Sequence, residues 1–181
     1  MLTGKRAEVK DLVFRYVAGI VDDSGFADEA RRVLIRGHAQ AGYLGRRRAG
    51  DHAPYDQDDT EFGRMIAEEQ QEFLQGFVED LSTGRYDGED GRPMAEPILR
   101  RAQLYVERMR GSANEAFRLA SWEPMSWRLG ASDHCADCLG LAAGSPYEDG
   151  ELRQVPRDAS TLCQLNCACE LARSDGVTAF A

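Results

Sequence analysis

Apolar residues recur along the first two thirds of the chain at spacings of three and four, the repeat of a helix that buries one face. Val9, Leu12, Val13, Tyr16, Val17 and Ile20 form the first stripe, which stops at Asp22, Asp23 and Gly25. A second follows Ser24, a residue suited to cap a helix, and passes through Ala30, Val33, Leu34, Ala41 and Leu44 to a cluster of glycine and arginine. Residues 49–59 carry Gly50, Pro54 and several acids with almost no aliphatic content, and read as a loop. The pattern predicts a third helix over 60–82, capped by Asp59 or Thr60, buried through Phe62, Ile66, Phe73, Phe77 and Leu81, and closed by Gly84. After a glycine- and acid-rich turn at 85–92, Pro97 suits the first turn of the longest helix. Its stripe runs through Ile98, Ala102, Tyr105, Val106, Met109, Ala113, Ala116, Phe117 and Ala120, with small residues in the later half that suit close packing against another helix.

Beyond Ala120 the texture changes. Trp122, Pro124, Trp127 and Leu129 precede a group of cysteines, and alternation over Ser126 to Leu129 predicts a short strand. The expected fold is therefore mainly α, with a helical domain over 1–121 and a cysteine-rich metal-binding knuckle with short strands over 122–181. Within the first, the helices near 60–82 and 97–120 are expected to lie antiparallel, with Tyr105, Met109 and Phe117 against Phe73 and Phe77. Trp122 and Trp127 are expected to cover the base of the knuckle.

Composition narrows the function. With 43% hydrophobic and 29% charged residues the chain resembles an ordinary globular protein, and no apolar run approaches the roughly 20 residues of a membrane span. The first ten residues lack the apolar core of a secretory signal, so folding in a reducing cytoplasm is expected. A net charge of −9 opposes generic nucleic-acid binding, which needs a clustered cationic surface. Two basic groups, Arg46-Arg47-Arg48 and Arg100, Arg101, Arg108 and Arg110, read as solvated helix faces or helix ends rather than phosphate contacts. His38 and His52 read as packing or surface residues.

All five cysteines lie after residue 134. Cys135 and Cys138 form a Cys-x-x-Cys pair, and Cys163, Cys167 and Cys169 form a second group. Paired clusters of this kind close a tetrahedral zinc site, because two intervening residues bring both sulfurs to one side of a turn. The ion supplies folding energy that so small a segment cannot draw from its own core. Five thiols and the His134 imidazole exceed four ligands. Cys135, Cys138, Cys163 and Cys167 are the favoured set, with Cys169 or His134 as substitute ligand, and spacing alone does not choose among the later cysteines. Disulfides are the competing reading, opposed by the odd count and by cytoplasmic folding. A catalytic zinc would keep an open position beside a carboxylate, for which Glu148, Asp149, Glu151 and Glu170 are candidates, but the His-x-Glu of zinc deaminases is absent. No catalytic residue and no enzyme is expected. A redox Cys-x-x-Cys normally opens a helix after a strand in a βαβ unit, and strands are scarce here.

The segment from Trp127 through Asp133-His134-Cys135-Ala136-Asp137-Cys138-Leu139, then Leu141-Ala142, Tyr147, Leu152, Pro156, Thr161, Cys163 and Asn166-Cys167-Ala168-Cys169, resembles the C-terminal part of phage Mu-type head morphogenesis (minor capsid) proteins. The hallmark is a Cys-x-x-Cys followed by a Cys-x-Cys, with His or Cys shortly before the latter, here Cys163. The stretch from Arg100 to Tyr105 and the helix through Asn114 and Phe117 are similar to the long helix that precedes the knuckle in that family, so the resemblance spans residues 60–172. It departs at Ala168, where an arginine is common. The resemblance implies a non-enzymatic structural protein of head assembly at the portal vertex, with portal and other capsid proteins as partners. Its location would be the virion, and the host cytoplasm during assembly. The alternative is a zinc-stabilised phage regulatory or nucleic-acid-binding module.

Overall fold

The computed structural model describes residues 2–180, and it is mainly helical, with a two-stranded sheet near the C-terminus. In chain order the elements are α1 (Leu2–Val17), α2 (Asp23–Ala49), α3 (Gln57–Glu69), α4 (Gln71–Ser82), α5 (Ala95–Ala120), β1 (Met125–Arg128), α6 (Ala136–Ala143) and β2 (Glu170–Arg173), with a 3-10 turn at Gln164–Asn166 before β2. Two caps differ from expectation. Asp22 rather than Ser24 caps α2, its Oδ1 accepting the Gly25 N–H at 2.8 Å. Asp56 rather than Asp59 or Thr60 caps α3, its Oδ1 accepting the N–H groups of Asp58 and Asp59 at 3.0 and 3.2 Å. In both cases an aspartate lying just before the helix places its carboxylate within reach of the first orphan N–H groups. At its other end α2 runs past Leu44 to Ala49, because Arg46, Arg47 and Arg48 complement the negative helix terminus, and Gly50 then turns the chain at φ +106°.

The single helix expected over 60–82 is two. Gln70 sits between α3 and α4, and its side-chain amide is buried, 2.8 Å from His38 Nε2 and within bonding distance of the Ile66 carbonyl. An amide turned inward on a histidine breaks the stripe that the apolar residues on either side continue.

The chain divides into two compact units, one of Met1–Ala39 with Thr60–Val106 and the other of Gln40–Asp59 with Glu107–Ala181. This grouping differs from a division at 121/122, since the later parts of α2 and α5 join the cysteine-bearing segment. In the first unit Val9, Leu12 and Val13 of α1, Phe26, Val33 and Leu34 of α2, Leu74 and Phe77 of α4, and Ile98, Ala102 and Val106 of α5 are buried. Phe77 is the hub: its ring meets Phe26 edge-on at 5.6 Å and stacks on Tyr105 at 6.1 Å. Phe73, expected beside it, is 63% exposed, and Ile20, expected on the α1 face, is 70% exposed.

The second unit buries Ala49, Phe117, Met125, Trp127, Cys138, Leu152, Val155, Cys167, Cys169 and Leu171 together. Phe117 thus belongs to the core beside the cysteines, not to that of Phe77. Strands β1 and β2 pair antiparallel from Met125↔Arg173 to Arg128↔Glu170. Trp127 is buried there as expected, whereas Trp122 is 84% exposed and covers nothing. Arg46 is not a solvated cation: it pairs with the buried Asp59 at 2.6 Å and Asp51 at 2.9 Å, and donates to the carbonyls of Ala53 and Pro54. Arg48 Nε donates to the Thr178 carbonyl and Arg173 Nη1 to that of Ala49, fastening the segment after β2 to the end of α2.

Close packing along the later half of α5 is realised at Gly45, where an added Cβ would collide with the Ala113 carbonyl. Helix propensity favours alanine over glycine by about 1 kcal/mol, but forcing backbone apart in a packed interior costs about 1–3 kcal/mol. Gly45→Ala is therefore expected to lower stability in urea denaturation. Gly76→Ala, at a position with nothing within 4 Å, is expected to leave stability unchanged or raise it. Equal effects at the two sites would contradict this packing.

Candidate metal centre

Cys135 is the N-cap residue of α6 and Cys138 lies in its first turn, so one helix start aims both sulfurs the same way. The helix is fixed to β1 by short polar contacts. Ser145 Oγ accepts the Trp127 N–H at 2.8 Å and donates to the Leu141 carbonyl, to which the Tyr147 hydroxyl also donates. Met125 and Tyr147 exchange backbone hydrogen bonds of 2.8 and 2.7 Å. The later cysteines arrive on the 3-10 turn and at the entry to β2: Cys163 precedes Gln164–Asn166, and Cys167 and Cys169 follow it. Asp137, inside the Cys-x-x-Cys, accepts the Leu162 N–H at 2.8 Å and ties the two halves together.

All five cysteines are free thiols, and their sulfurs gather around Cys138. They sort into two triads, Cys135–Cys138–Cys163 and Cys138–Cys167–Cys169, each with its sulfurs within 4.8 Å of one another. Cys138 Sγ lies 3.4 Å from Cys163 Sγ and 3.7 Å from Cys167 Sγ. Two thiolates bound tetrahedrally at about 2.3 Å from one zinc ion stand about 3.8 Å apart, so these separations suit shared coordination. Of the expected ligands, Cys135, Cys138 and Cys163 form one triad, while Cys167 lies in the other with Cys138 and Cys169, whose Sγ is 3.6 Å from His134 Nδ1.

The thiols differ in acidity. The backbone N–H of Cys138, followed by the Cys138 and Cys163 thiols, lowers Cys135 to about 7. Burial raises Cys138 and Cys167 above the usual thiol range. A cation is what such buried thiols need in order to release their protons, so metal uptake here would be a proton-releasing event.

Contributors with little sequence signal complete the surroundings. An added Cβ at Gly130 would collide with the Ala168 carbonyl, so a glycine is needed where the end of β1 passes the Cys-x-Cys. The Gly130 carbonyl is 2.9 Å from His134 Nε2. The buried Thr161 places its hydroxyl 3.3 Å from Cys163 Sγ. The Cys-x-x-Cys does open a helix after a strand, as redox pairs do, yet β1 pairs antiparallel and three further thiols surround Cys138, which is the environment of a metal ligand. Among the described residues, the groups able to hold a metal contain cysteines and no carboxylate, so Glu148, Asp149, Glu151 and Glu170 are not brought into the cluster. Among the described residues, no helix is long and apolar enough to cross a membrane. Comparison of the chain with protein families, curated proteins and solved structures found no match.

Proposed function

We propose that this chain is a structural protein of tailed-phage head assembly, a minor capsid or head-morphogenesis protein, in which zinc closes the C-terminal knuckle and the protein binds portal and other capsid proteins. The observation that carries the reading is the convergence of a Cys-x-x-Cys and a Cys-x-x-x-Cys-x-Cys on one thiol-only cluster, the pattern in which the sequence resembles that family. Sulfur-only donors favour zinc over harder ions. Thiolate-rich coordination, with no carboxylate in the metal-capable groups among the described residues, suits a structural ion rather than one that activates water, so the chain is read as no enzyme. The location is the virion, and the host cytoplasm during assembly. The regulatory or nucleic-acid-binding alternative draws no support from Arg46, whose guanidinium is held by Asp59 and Asp51, nor from the net charge of −9.

Quantitative mass spectrometry of purified heads tests the reading. The chain is expected at low copy number alongside portal, and recombinant chain is expected to bind portal with little dependence on salt. Absence from heads, together with binding to duplex DNA that weakens steeply as salt rises, would replace this proposal with the alternative.

A further inference from the structure

A single tetrahedral ion uses four donors and leaves two of the six at this cluster without a task. Two tetrahedral ions offer eight positions, which six donors fill when two of them bridge. We propose that the knuckle holds two zinc ions sharing an edge made by the Cys138 and Cys167 thiolates, one completed by Cys135 and Cys163, the other by Cys169 and His134. The proposal rests on the metal reading above and adds a second ion to it.

Four observations carry it. The sulfurs form two triads that meet at Cys138 rather than one set of four, so Cys138 faces two centres, and binding would draw Cys167 toward the first triad and His134 toward the second. Cys138 and Cys167, 3.7 Å apart, stand at the separation of a shared tetrahedral edge, and Cys167 lies with Cys169 in the second triad. These two are also the most buried of the five, at 0% and 1% exposure. A sulfur enclosed between two ions and their other ligands has the least access to solvent, whereas the terminal donors Cys135 and Cys163 are partly exposed.

His134 supplies the fourth observation. A carbonyl only accepts hydrogen bonds, so the 2.9 Å contact to the Gly130 oxygen places the proton on Nε2 and leaves the Nδ1 lone pair facing Cys169. An imidazole fixed by a backbone carbonyl through its other nitrogen is the usual support of a metal-bound histidine. Each thiol gives its proton to solvent as its ion binds.

Native mass spectrometry of the full chain, purified reduced and saturated with zinc, counts the ions directly. Two per chain are expected, falling to one in His134→Ala and in Cys169→Ala, with the helical circular dichroism retained. Substitution with cadmium-113 is expected to give two resonances split by mutual coupling through the bridging sulfurs. One ion in the wild-type chain would overturn the second site and leave the single-ion knuckle standing. No ion would overturn both. Two ions without coupling, or two in either variant, would overturn the shared edge and its ligands.

Discussion

Cys138→Ser is expected to abolish metal retention and to unfold the segment from 130 to 172, the largest effect of any single substitution in the chain. Cys138 belongs to both thiol triads, is fully buried and packs in the same core as Trp127, Leu152, Val155 and Leu171. A serine hydroxyl is a poor ligand at neutral pH, and it would sit unmatched among the remaining thiols. Structural zinc contributes about 10–16 kcal/mol of apparent binding free energy in small domains, more than the rest of so short a segment supplies. Metal analysis together with amide hydrogen exchange reads the result: loss of the ion and loss of protection across 130–172, with the α4 amides still protected. A Cys138→Ser chain that keeps its metal and its protection would show that the cluster does not pivot on this sulfur.

Phe117→Ala is expected to destabilise the protein by about 3–5 kcal/mol, the range for removing a buried phenyl ring without collapse of the site. The ring is completely buried and shares its core with Ala49, Met125, Trp127, Cys138 and Leu171. Because Phe117 packs beside the cysteines, the same change is expected to speed metal loss to a chelator. Phe73→Ala is the control, since that ring is largely exposed, and its effect is expected within about 0.5 kcal/mol. Urea denaturation of the two variants separates them, and similar losses for both would mean that Phe117 does not anchor this core.

The helices and the cysteine cluster were legible in the sequence because each has a period. The stripe from Ile98 to Ala120 and the glycine at Gly84, which takes φ +71°, appear where spacing places them. Spacing reports which residues can share a face and not which face meets which neighbour. That is why Phe73 is exposed although it lies in register with Phe77, and why Phe117 joins a core with residues far along the chain. Gln70 broke a helix through a buried contact with His38, an event of tertiary packing with no local signature. Arg46 looked like a surface cation because its partners, Asp51 and Asp59, sit in a segment whose composition suggested only a loop. At the site, Cys-x-x-Cys and Cys-x-Cys announced themselves. Gly130 and its carbonyl contact to His134 did not, because a glycine after a strand reads first as a turn.

The most direct test of the account is the metal content of the protein purified under reducing conditions, followed by addition of a strong chelator. At least one equivalent of zinc per chain is expected. The chelator is then expected to expose residues 130–172 to exchange while most of the helical signal persists, since Phe77, Phe26 and Tyr105 lie in the compact unit that does not contain the cysteines. Metal-free protein that carries two disulfides by mass spectrometry and is indifferent to the chelator would contradict the account.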